Sequence, residues 1–243
     1  MKKAIGYVYV IAAAVCWGFL GLFNRVLTAA GVSLLNMMPL RFGGTAILFT
    51  VFCMMFKQQV FHIKLRHLPI FLGSGLISML LVLCGCALVS GIVGSDVCIS
   101  LEGLLMGLAS ELCYGGYTIF THYGMRYCDS FTMAHWTFLI AGIASLFLAD
   151  GPALLSALAE PRTGLAALGL MVMGTALPFT LYTKGLETVE SGKAAIIANI
   201  EPVMSAVIGV TVFQETLGLW TLVGIVLVLS GVVVLACEKE PDK

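Results

Sequence analysis

The chain has 243 residues, 60% of them hydrophobic and only 11% charged, with a mean hydropathy of +1.03. A soluble domain carries about 25% charged residues, so little of this sequence is left to build one. Thirteen basic and 13 acidic residues cancel, which leaves no electrostatic footprint for nucleic acid.

The first segment, Met1-Lys2-Lys3 followed by an apolar run, has the outline of a signal peptide. The run continues past Leu22, too long for an h-region, and Val15 before Cys16 does not suit a lipoprotein-type cleavage site. We read it as an uncleaved first span. Apolar stretches of about 20 residues, enough to cross a bilayer as helix, fill the rest. They predict eight helices: 4–27, 34–56, 68–93, 100–124, 131–149, 163–185, 193–213 and 217–237. The fold class expected is therefore an all-α polytopic membrane protein. Basic loops resist translocation and so set orientation. With the N-terminus inside, Lys2, Lys3, Lys57, Lys64, Arg66, Arg126, Lys184, Lys193, Lys239 and Lys243 fall on cytoplasmic segments. Arg162 falls in an outer loop, while Arg25 and Arg41 lie within or near spans. Both termini are expected in the cytoplasm.

The chain also repeats itself. Val15-Cys16-Trp17-Gly18 aligns with Leu112-Cys113-Tyr114-Gly115 at an offset of 97, and Leu72-Gly73-Ser74-Gly75-Leu76 with Met173-Gly174-Thr175-Ala176-Leu177 at 101. Leu83-Cys84-Gly85-Cys86-Ala87-Leu88 then matches Leu229-Ser230-Gly231-Val232-Val233-Val234 at 146. The jump at one point predicts a first repeat, 1–93, that lacks about 45 residues of a complete five-helix second repeat, 94–243. In this reading the helix at 68–93 joins the start of a third helix to the end of a fifth. An eight-helix protein without that history is the other reading. Transporters built from such repeats hold their substrate where the two units meet.

Ala194-Ala195-Ile196-Ile197-Ala198-Asn199-Ile200-Glu201-Pro202-Val203, followed by Gln214-Glu215-Thr216-Leu217 and a last helix with Gly224 and Gly231, resembles the EamA-type family of the drug/metabolite transporter superfamily. Trp17-Gly18 in the first helix and Arg41 early in the second are similar to its pattern as well. The resemblance spans essentially the whole chain and is more specific in the second half. It implies ten helices in two inverted five-helix repeats and export of small metabolites such as amino acids. This chain departs from it by lacking the fourth helix of the first repeat, parts of its neighbours, and that repeat's Glu-Pro.

Ionisable groups inside a span are costly, about 2.5–3.5 kcal/mol on insertion scales, and mark functional candidates. Glu201 lies eight residues into its helix, roughly 12 Å deep. Pro202 beside it removes a backbone donor, so a bend is expected there. The carboxylate either binds a substrate ammonium or a proton, or it satisfies backbone groups freed at the kink with help from Asn199. Glu111 lies ten residues into its span, and Tyr114, Thr118 and His122 follow at helical spacing on one inward face. Glu111 is a coupling group, a partner of Arg41, or a neutral buried acid. Arg41 either snorkels to the outer headgroups, pairs with Glu111 or Glu201, or clamps a substrate carboxylate. Trp17, Gly21 and Asn24 share a face by 3- and 4-residue steps; they line a substrate path or pack between helices. Thr175 and Tyr182, seven apart, form a second polar stripe. His135, near the inner face, is expected to be solvated.

The eight cysteines form no CxxC pair and are expected to pack as small hydrophobes. No HExxH, GxSxG or phosphate-cradling loop is present, and the four histidines have no metal spacing in a polar context. Neither catalysis, nor a cofactor, nor a metal is expected. The function expected is an inner-membrane secondary transporter exporting small polar metabolites, amino acids foremost, by alternating access. Its partners would be the bilayer, a small-molecule substrate and, through exposed small-residue faces, a second copy. The competing expectation is a transport-incompetent remnant or assembly subunit.

Overall fold

A computed structural model describes residues 2–56, 58–61, 63, 67–77 and 101–237. All regular structure among them is helical. The elements are α1 (Lys2–Gly18), α2 (Leu20–Ala29), α3 (Leu34–Met38), α4 (Thr45–Phe56), α5 (Leu68–Ile77), α6 (Leu101–Gly124) and α7 (Ser130–Ser145). They continue with α8 (Gly151–Leu158), α9 (Pro161–Met171), α10 (Leu177–Gly185), α11 (Ser191–Ala198), α12 (Ile200–Phe213) and α13 (Leu219–Cys237). Four helical runs among the described residues are long and apolar enough to cross a membrane: Ala4–Ala29, Leu35–Phe56, Pro161–Gly185 and Ser191–Phe213. The junction expected within 68–93, and with it the match at 83–88, lies outside the described residues.

Several helices are interrupted where the sequence reads as continuous. Phe19 makes a tighter bond to Cys16 O and divides α1 from α2. π-helical turns occupy Pro39–Gly44 and Val172–Ala176. Proline accounts for both, since it lacks the N–H that would bond four residues back. Pro39 opens the first turn, and Pro178 leaves Gly174 O without its helical donor in the second. The segment 150–162, read as loop, contains α8. Asp150 caps α8, its Oδ1 accepting from Ala153 N at 3.3 Å, and Pro lies in its first turn.

Large apolar side chains cover much of the outer surface, and several hydroxyls are buried alongside the apolar core. Leu112, Phe147, Val226 and Leu227 are exposed, whereas Thr45, Ser74, Thr121, Thr137, Ser145, Thr175 and Thr183 are buried. Lipid tails are as apolar as leucine, so helices associate through close packing and hydrogen bonds instead of burying their largest hydrophobes. Ser74 Oγ and Thr137 Oγ1 are 2.7 Å apart between α5 and α7. A Cβ on Gly73 would strike Phe120, and one on Gly75 would strike Ile140, at 2.6 and 2.7 Å. Gly73-Ser74-Gly75 thus serves close helix packing.

The long axis of the bundle is α1 with α2. α1 packs on α10, α11 and α12, α2 packs on α9, and α7 covers the first π-turn, α4 and α10. The main core gathers Val10, Trp17, Phe42, Phe49, Phe138, Phe179 and Tyr182, and a second core joins Leu27, Met37, Leu40, Ala167 and Leu170. α7 begins with a side-chain cap, as Asp129 Oδ1 accepts from Thr132 N at 3.3 Å and from the Thr132 hydroxyl. Asp129→Ala is expected to lower stability by about 1 kcal/mol, read as a reduced thermal midpoint in detergent. Asp129→Asn, which keeps an accepting oxygen, should recover most of that loss.

Candidate functional site

At the C-terminal end of α1, Trp17 is buried against three aromatic residues. Its ring centroid lies 5.2 Å from Phe179, 5.4 Å from Tyr182 and 6.4 Å from Tyr114. Tyr114 and Tyr182 are themselves 6.0 Å apart, and Tyr117 meets Phe179 edge-on at 5.4 Å. Edge-to-face arrangements of this kind are the favoured geometry of aromatic pairs. The rings come from α1, α6 and α10, three elements remote in sequence.

Hydrogen bonds tie the cluster to its scaffold. Thr118 Oγ1 lies 3.2 Å from Tyr182 Oη and donates to Tyr114 O at 3.0 Å, and Tyr117 Oη lies 3.4 Å from Thr183 Oγ1. The Tyr114 phenol faces that of Tyr182, and His122 Nδ1 is buried without a hydrogen-bond partner among the described residues.

Glu201 is half-buried in the first turn of α12, within electrostatic reach of the Tyr114 phenol. The expected bend is present, three residues ahead of Pro202: α11 ends at Ala198, and Asn199 bonds from its N–H to Ile196 O at 3.2 Å. Proline at 202 supplies no hydrogen to Ala198 O and crowds it, which is why the helix breaks there. Asn199 Nδ2 turns back onto Ala195 O at 3.2 Å. Asn199 and Pro202 are exposed and do not line the cluster. They shape the helix break that presents Glu201.

A second polar contact joins the two π-turns. Arg41 Nε donates to Thr175 Oγ1 at 3.2 Å, and Thr175 donates to Leu170 O at 3.0 Å. The Arg41 guanidinium carbon lies 5.7 Å from the Phe42 ring centroid. Arg41 thus turns inward onto α9–α10. Nearby, Thr45 Oγ1 donates to Met171 O at 3.0 Å. π-turns concentrate at functional sites, and here they let a side chain from each segment reach the other.

Of the expected site residues, Trp17, Tyr114 and Tyr182 come together, Glu201 lies within electrostatic reach of Tyr114, and Arg41 and Thr175 form a separate pair. Thr175 and Tyr182 therefore do not make one stripe, because each faces a different neighbour across the π-turn. Beyond the turn at Phe19, Asn24 is half-buried and Gly21 exposed, whereas Trp17 is buried. Glu111 lies on α6 one turn before Tyr114, and its side chain is outside what is described. His135 is not solvated: it is buried, with Phe61 at 5.2 Å and Phe49 at 6.1 Å. The segment Gln58–Phe61 folds over it, held by Trp136 Nε1 donating to Val60 O at 3.0 Å. Tyr117 and Phe179 were missed, although each lies three residues from an expected site residue on the same helix, the spacing of same-face neighbours.

Comparison with known proteins bears on the identity of this bundle. The chain is 41% identical over 68 residues to an uncharacterized transporter of Archaeoglobus fulgidus, covering 28% of this chain and 25% of the relative. It is 26% identical over 174 residues to the uncharacterized transporter YwfM of Bacillus subtilis, covering 70% of this chain and 57% of that protein. A multidrug resistance protein of Bacillus atrophaeus, EbrB, is 32% identical over 87 residues, covering 35% of this chain and 74% of the relative. The chain thus spans a quarter to just over half the length of the first two relatives. The profile of the EamA-like transporter family matches residues 101–237, which include α6 to α13 and with them Tyr114, Tyr182 and Glu201. The chain belongs to the EamA-like transporter family.

Proposed function

We propose that this protein is a secondary transporter of the plasma membrane that exports small polar metabolites, amino acids foremost. In this reading it has eight spans with both termini in the cytoplasm, arranged as two inverted repeats, 1–93 shortened and 94–243 complete. Alternating access would come from rocking one unit against the other around a site between them. The observation that carries the reading is the Trp17–Tyr114–Tyr182 cluster with Glu201 beside it. Trp17 belongs to the first unit and the other three residues to the second, which is where such a transporter holds its cargo. Aromatic faces and a carboxylate suit a substrate ammonium. Transporter-named relatives support the general class.

Cells expressing the chain at verified membrane levels are expected to export a subset of amino acids or related metabolites. Glu201→Ala should reduce that efflux at least about tenfold, the scale of losing one charged substrate contact. Efflux unchanged by Glu201→Ala would remove the carboxylate from the path.

One observation favours a second reading, a transport-incompetent subunit completed by another copy or by a full-length relative. α13 is exposed along most of its length, and a Cβ on Gly224 or Gly231 would meet nothing within 4 Å among the described residues. Stable insertion without export of any metabolite, together with concentration-dependent crosslinking, would favour it.

A further inference from the structure

At the end of the bundle remote from the start of α1, a cavity of about 430 Å³ opens between α2, α9 and α12. Arg25, Glu160, Arg162, Thr163 and Phe213 line it, together with small apolar residues of α2. Its size falls within the range of small-molecule pockets, about 300–1,000 Å³, and none of these residues belongs to the Trp17 cluster.

The charges around the cavity are unevenly satisfied. Arg25 forms an ion pair with Glu215 at 2.5 Å and stacks over Phe213, 4.4 Å from its centroid. Both partners of that pair are about half exposed, at 52% and 48%, so the bond is weak and exchangeable. Glu160 is engaged with Thr163, whose Oγ1 donates to Oε2 at 2.8 Å. Arg162 is exposed, and no carboxylate among the described residues pairs with it. Glu215 is presented by a rigid turn: Gln214 is left-handed, with φ of 56°, and Glu215 N donates to Gly209 O at 3.1 Å.

We propose that this cleft binds an oxyanion between Arg162 and Arg25, with Phe213 and the apolar wall of α2 against its carbon part. A guanidinium is a planar fork of donors that matches carboxylate or phosphate in two parallel bonds. The ligand is therefore the carboxylate of a small solute or the phosphate of a lipid headgroup. It competes with Glu215 for Arg25, so neutralising Glu215 strengthens binding. The site stands independently of the transport reading, because it is tested by binding alone.

The full chain in phosphatidylcholine nanodiscs is titrated with benzoate by calorimetry. In a second arm, retention of phosphatidylglycerol is measured by native mass spectrometry. Saturable benzoate binding is expected, weakened about tenfold in Arg162→Gln, less in Arg162→Lys, and strengthened severalfold in Glu215→Gln. The opposite directions of the Arg162 and Glu215 variants separate the site from loss of fold. No benzoate binding but Arg162-dependent retention of phosphatidylglycerol assigns the oxyanion to lipid. Neither signal, or binding indifferent to both Arg162 and Glu215, overturns the proposal.

Discussion

Trp17→Ala is expected to lower stability by about 3 kcal/mol and, in the transport reading, to abolish efflux. Trp17 is only 3% exposed and touches Tyr114, Phe179 and Tyr182 at once. Removing its indole leaves a void that these rings cannot close, since they are held on two packed helices, α6 and α10. In a bilayer the transfer of a side chain from lipid to protein interior contributes little, so the loss is mainly one of packing and cavity. For that reason the estimate sits at the low end for a buried tryptophan. Trp17→Phe should keep the fold within about 1.5 kcal/mol, as size-matched core changes do. The check is the thermal midpoint of purified protein in detergent, alongside efflux at matched membrane levels. An unchanged midpoint for Trp17→Ala would show that the cluster does not hold the bundle together.

The second large effect is expected at Gly185→Val. A Cβ there would meet Val10 Cγ2 at 2.5 Å and the Gly6 carbonyl oxygen at 3.0 Å, and a backbone atom cannot move aside as a flexible side chain can. Gly6 makes the reciprocal approach, facing Thr188 and Val189. This glycine pair sets how closely α1 and α10 lie, and that same interface carries Trp17 onto Tyr182 and Phe179. Spreading the helices breaks both at once, so loss of the folded monomer is expected, read as aggregation on size exclusion. Gly21→Ala is the control: among the described residues nothing lies within 4 Å of a Cβ at that position, and the helical propensity of alanine should make the change neutral or slightly stabilising, by up to about 1 kcal/mol. Equal behaviour of the two variants would refute the close-approach argument.

The candidate site was legible in part, and the pattern of success has a physical cause. Trp17, Tyr114, Tyr182 and Glu201 could be picked from the sequence because a polar or amphipathic residue inside a long apolar run is conspicuous. Tyr117 and Phe179 were not, because an aromatic residue in such a run is ordinary by composition. Asn24 and Thr175 were assigned to stripes by ideal helical spacing. That spacing fails across the turn at Phe19 and the π-turn at Val172–Ala176, each of which rotates the helix beyond it. The prolines at 39 and 178 were the available signal for the π-turns. His135 was misplaced because nothing local says that Gln58–Phe61, over 70 residues earlier, folds across it.

By itself the sequence determined the membrane class, the helical content and approximate helix positions, and the family resemblance that the profile match bears out. Runs of apolar residues fill 20-residue stretches, and within lipid a backbone has no alternative but to satisfy itself as helix. Only the tertiary structure decided which faces meet. In a soluble protein the apolar face would announce the interior, but here leucine and valine occur both in the core and on the outer surface, and many threonines are buried. With hydrophobicity silent about inside and outside, neighbours are chosen by glycine contacts, hydroxyl pairs and ring edges. Those depend on chain segments far apart in sequence, and they come into view only when the helices are packed.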